Sequence, residues 1–181
     1  IGPVKTWIEQ FVVAEQLCPF ARRPLEDGRV RFVATNAEAE ADLLAALAAE
    51  IQRLLDDPAI ETTLLIHPNV LTDFSAYNQF LDEADAMLRR LDVEGVIQVA
   101  SFHPNYQFAG TDPADAENYS NRSPYPLLHL IREQSIDAAI ATFDQVEQIP
   151  ERNIRHLKAI GAPTLAKRLA ACFQDSNSPI H

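Results

Sequence analysis

The sequence predicts an α/β fold: a small, mainly parallel sheet of three to four strands flanked by helices, with a helical C-terminal part. Three observations carry this expectation. Short apolar or β-branched runs alternate with longer helix-forming segments up to residue 102. Each connection between runs has room for a crossover helix, as parallel pairing requires. Beyond residue 123 the segments again read as helices. With 181 residues and 47% hydrophobic content there is enough apolar material for one substantial core, so a single domain over 1–173 and a polar tail over 174–181 are expected.

The elements follow in order. Trp7, Phe11 and Ala14 recur at helical spacing, with Pro3 tolerated in the first turn, and the helix is expected to end at Cys18, before Pro19. "RVRFVAT" (29–35) is a strand. "AEAEADLLAALAAEIQRLL" (37–55) is a helix with acids early and Arg53 late, matching the helix dipole. "ETTLLIHPN" (61–69) is a second strand. Thr72 or Asp73 caps a helix over 74–91, and Gly95 precedes the strand "VIQVASF" (96–102). Helices are then expected over 124–134, 135–146, 150–160 and 163–173.

Charge and cysteine content exclude some functions. Acidic residues outnumber basic ones 26 to 15, a net charge of −11 that repels a phosphate backbone, so nucleic acid is not an expected partner. Cys18 and Cys172 are too few for a disulfide framework and lack metal-finger spacing, which fits a cytoplasmic setting. No apolar run approaches the roughly 18–20 residues of a membrane span. Walker, Rossmann, GxSxG and HExxH motifs are absent.

Four features could carry chemistry. "HPN" follows an apolar run twice, at 67–69 and 103–105. In parallel strands both histidines would emerge at one sheet edge, where open α/β folds bind ligands; alternatively, both are packing residues at strand ends. Residues 103–122 have no sustained period, yet three of the four tyrosines (Tyr106, Tyr119, Tyr125) fall in or beside them. A loop of that length and aromatic content suits a lid or pocket wall. In "NRSPYPLLHLIRE" (121–133), Ser123 reads as an N-cap with Pro124 at the first helical position. Arg122 would then grip an anion beside the free amides, and His129, Arg132 and Glu133 would share a face. At Cys18, Arg22 and Arg23 lower a thiol pKa while a helix C-terminus raises it. A buried structural cysteine and a ligand or nucleophile are both open readings.

"LCPFA", "QVASFHPNYQFAG" and "NRSPYPLLHLIRE" resemble the motifs of an uncharacterised bacterial family catalogued as domain of unknown function 1415. The resemblance runs from the first helix through "ERNIRHLKAIG" and implies a compact single-domain protein, without implying a reaction. It places Cys18, His103, Tyr106, Asn121, Arg122, Ser123, His129, Arg132 and Glu133 within characteristic motifs. It also implies that the position of His67 is often aromatic.

The resulting expectation is an enzyme, a hydrolase or group transferase, acting on a small anionic substrate. Asn121, Arg122, Ser123 and Arg132 would bind the anion, His103 or His129 would act as general acid or base, and Tyr106 would orient the substrate. One alternative is a divalent metal, zinc first, held by His103, His129, Glu133 and Cys18. The other is a noncatalytic binding or assembly module.

Overall fold

The structure, a computed structural model, describes residues 1–141 and 145–175. Four strands form one sheet: β1 (Val30–Ala34), β2 (Thr62–Ile66), β3 (Ile97–Phe102) and β4 (Leu127–Arg132). Their spatial order is β1-β2-β4-β3. β1 and β2 pair in parallel, whereas β4 runs antiparallel to both β2 and β3. The α/β class holds, but the mainly parallel arrangement does not.

The reason lies in the connections. α3 (Glu40–Asp56) carries the chain back between β1 and β2, permitting parallel pairing. Between β3 and β4 the chain makes only a 3₁₀ turn, Ala116–Ser120, so it re-enters the sheet at the edge it left. β4 therefore lies between β2 and β3, which point the same way.

β4 is also the main departure from the expected helices. The run "LLHLIR" is apolar on both faces, leaving no period to separate strand from helix. Two proline contacts decide the local backbone: Ser123 precedes Pro124 and Tyr125 precedes Pro126, and a residue before proline is pushed out of the helical region. The helix expected at Ser123 starts instead at Glu133, as α5 (Glu133–Ile140). The first helix is shorter than expected too. α1 (Gly2–Trp7) passes into a π-helical stretch, Ile8–Val13, and Gln16 turns left-handed at φ 54° before Cys18 is reached.

Helices cover both faces. On one, α3 and α4 (Phe74–Arg90) bury Leu43, Leu47, Tyr77 and Phe80 against Leu65, Leu128 and Leu130. Asp73 caps α4 by accepting the Ala76 N–H at 2.9 Å. On the other face, α1, the π-helical stretch after it, α6 (Ile149–Ile160) and α7 (Ala162–Asp175) pack Trp7, Phe11, Leu157 and Leu165 on Leu64, Ile66 and Leu127. A short α2 (Arg22–Glu26) precedes β1. α7 extends through Gln174 and Asp175, which were expected in the tail. Residues 176–181 of that tail, and 142–144 of the helix expected over 135–146, lie outside the described residues.

Candidate functional site

β2 and β3 share a direction, so His67 and His103 do leave the same sheet edge. Both are fully buried, on the α4 face, with the Tyr77 ring between them. Tyr77 stacks on His67 at a centroid distance of 5.8 Å and lies 5.1 Å from His103. Its hydroxyl donates to Leu127 O and accepts the Phe102 N–H, bridging β4 and β3. Burial raises its pKa. Nothing in the spacing of α4 singled Tyr77 out from other core residues.

Both imidazoles are tied to turn backbone, His67 to its own turn and His103 to its own and to the one after β2. His67 Nδ1–H donates to Val70 O at 3.0 Å, and its Nε2 is buried with no hydrogen-bond partner among the described residues. His103 Nδ1 accepts the Asn105 N–H at 3.0 Å, and Nε2–H donates to Leu71 O at 3.2 Å, fixing the neutral tautomer. Leu71 itself is left-handed at φ 56°. Desolvation pulls the His67 pKa down to about 4 and lowers that of His103, the latter opposed by Leu71, Thr72 and the charge of Asp73.

His129 is elsewhere. It pairs with Leu64 and Ala100 in mid-sheet and faces the α1 side, 6.2 Å from the Phe102 ring. Because strand side chains alternate, His129 and His103 lie on opposite faces. Its Nε2 sits 2.5 Å from Thr62 Oγ1, whose proton goes to Leu130 O, and desolvation brings its pKa to about 4.

Arg132 and Glu133 are at the far end of β4 from the two other histidines. The Arg132 guanidinium donates to Leu54 O, Asp57 O and Ile60 O, satisfying carbonyls at and after the end of α3, away from Arg122 and Ser123. Glu133 N–H donates to Val96 O and opens α5. The expected proximity of His129 and Glu133 on one helix is therefore lost. Cys18 follows the α1 region, and desolvation raises its thiol pKa against smaller lowering effects of the Phe20 and Ala21 amides and of Arg152. A reactive thiolate is not favoured there. Among the described residues no group of three His, Cys, Asp or Glu side chains is placed to hold a metal.

The loop from His103 to Pro126 is ordered by its own polar groups. Asn118, fully buried, accepts from Phe108 N–H and Thr111 Oγ1–H and donates to Asp112 O. Asn121 donates to Ser101 O, and Ser123 Oγ–H donates to Tyr125 O rather than capping a helix. Tyr106 packs between Phe74 and Phe108.

Arg122 is half-buried in this loop. Its Nε–H donates to Tyr106 O at 3.1 Å and Nη2–H to Pro113 O at 2.7 Å, and the guanidinium lies 4.6 Å over the Tyr119 ring. Two of its five N–H donors are thus used. No carboxylate pairs with it among the described residues. It lines a cleft of about 360 Å³ between the loop and α7, together with Asn105, Ser123, Leu169, Ala170 and Phe173. The α7 wall had no sequence signal, since Ala166 and Ala170 read as an ordinary helical face.

These features define an α/β domain with one internally braced loop facing a helix across a small cleft. The chain belongs to the family described as a protein of unknown function, DUF1415, whose model matches residues 1–167. Neither the curated proteins nor the solved structures contain a match to it.

Proposed function

We propose that this protein binds a small anionic molecule in the cleft between the Arg122 loop and α7. The observation that carries this reading is the state of Arg122: a guanidinium with no carboxylate partner among the described residues, in a chain of net charge −11, held by two backbone carbonyls at a concave surface. Three of its N–H donors remain free to meet an anion in the cleft. The carbonyls of Tyr106 and Pro113 and the ring of Tyr119 fix its orientation in advance, so little freedom is lost on binding. No helix N-terminus contributes, because Ser123 leads into a strand.

In the catalytic form of this reading, a hydrolase or group transferase, His103 is the candidate base, since it directly precedes the lining residues Pro104 and Asn105 and its Nδ1 accepts the Asn105 N–H. Its Nδ1 would serve as a base only after the Asn105 amide lets go. Binding is therefore the simpler function for the geometry at hand, and Asn105 is the exposed uncharged polar side chain available to a ligand.

Calorimetric titration with phosphate and acetate at fixed ionic strength tests the proposal. Wild-type protein should bind at least one of them above a chloride control. Arg122→Gln should lose about tenfold or more in affinity, the worth of a charge-assisted hydrogen bond. Because Arg122 also braces the loop, Ala170→Trp is the independent variant: it fills the cleft from the exposed side of α7 and leaves Arg122 in place. Binding that survives Ala170→Trp unchanged would refute the site.

A further inference from the structure

We infer that the ligand of the Arg122 cleft is a monoanionic carboxylic acid with a compact apolar body, not a nucleotide, sugar phosphate or other polyanion. This inference rests on the reading of Arg122 as the anion contact and goes on to the rest of the molecule bound.

Charge sets the first limit. Among the described residues lining the cleft Arg122 alone is charged, so a second negative charge would meet no counter-charge there and a repulsive average field outside. The three N–H donors left on Arg122 match the two oxygens of one carboxylate, which a guanidinium can engage with paired hydrogen bonds.

The walls set the second. Pro104, Tyr119, Pro124, Leu169, Ala170 and Phe173 offer one side-chain hydroxyl between them. A polyhydroxylated ligand would surrender hydrogen bonds to water and recover few of them, whereas an alkyl or aryl body loses nothing polar on entering. Asn105 is exposed, and its side-chain amide has no hydrogen bond among the described residues, which leaves one neutral polar contact beside the cation. The volume of about 360 Å³ sits at the small end of ligand sites and is too small for a dinucleotide.

The test is a calorimetric series on the intact protein using acetate, butyrate, phenylacetate and 3-phenylpropionate, with phenylacetamide, inorganic phosphate and glycerol 3-phosphate as comparators. Affinity should rise along the carboxylates by about fourfold for each methylene buried, until the cleft is full. Phenylacetamide should bind about tenfold or more weakly than phenylacetate, since it lacks the charge. Ala170→Trp should abolish phenylacetate binding. If phosphate or glycerol 3-phosphate binds through Arg122 and phenylacetate does not, the ligand class is wrong while the anion site stands. Equal binding of phenylacetamide and phenylacetate, or no binding of any compound, would overturn both.

Discussion

His67 shows how a histidine expected at a strand end is held inside the fold. The repeated "HPN" puts two histidines at strand ends: His67 folds back onto its own turn at Val70 O, and His103 takes the Asn105 N–H of its own turn and reaches across to Leu71 O of the turn after β2. The positions were legible because an apolar run followed by His-Pro marks a strand end. The roles were not, because tertiary burial against Tyr77 leaves no trace in local sequence. Burial has a measurable consequence. The His67 pKa is near 4 in the fold and about 6.5 when unfolded. Between those values the unfolded state binds more protons, so stability is complete above pH 6.5 and falls as pH drops toward 4. His67 alone should cost roughly 2 kcal/mol on going from pH 7 to pH 5. Urea denaturation at both pH values checks this against His67→Phe, which keeps the stack on Tyr77 and removes the titrating group. The variant should lose clearly less stability over that interval; an equal loss would place the proton uptake elsewhere, His129 being the next group.

At the scale of elements, the arginines of 122 and 132 separate. Both lie in the motif that reads as a helix with an anion at its start, yet one faces a cleft and the other closes the end of α3 at the opposite edge of the sheet. Arg132→Ala should destabilise the protein by about 2–3 kcal/mol, through carbonyls of Leu54, Asp57 and Ile60 left without a charged donor, while phosphate or acetate affinity is unchanged in the folded fraction. Denaturant midpoints together with titration of the same sample decide it; altered affinity would join Arg132 to the site. β4 makes its own prediction. As an inner strand with partners on both sides, its amides should exchange with solvent only on global unfolding. Exchange over 127–132 as fast as in the 103–122 loop would contradict the sheet order. The three earlier strands were legible, β1 and β3 within a residue and β2 with its end placed three residues too far, since each is a short apolar or β-branched run set off from a helix. β4 was not: an inner strand buried on both faces has no alternation, and Ser-Pro reads equally as a cap. The two residue-before-proline constraints were the overlooked signal.

Across the whole molecule, the sequence conveyed the α/β class and the loop as a structured feature, because both depend on composition and spacing along the chain. It did not convey which elements meet. The cleft depends on α7 lying beside the loop, and the separation of His129 from His103 depends on which face each strand residue takes after β4 inserts. The proposal of Arg122 as the anion contact rests on a different basis from the one its motif suggested: it is braced by the loop's own carbonyls and by Tyr119, and no carboxylate among the described residues pairs with it. The most direct measurement is a titration of isotope-labelled protein with acetate or phenylacetate, followed by nuclear magnetic resonance of the Arg122 Nε–H and the Asn105 side-chain amide. Binding in the cleft predicts saturable shifts at those two groups and at Ala170, with one common dissociation constant, and none at Arg132. Shifts confined to other surfaces, or growing linearly without saturation, would contradict an anion site at Arg122.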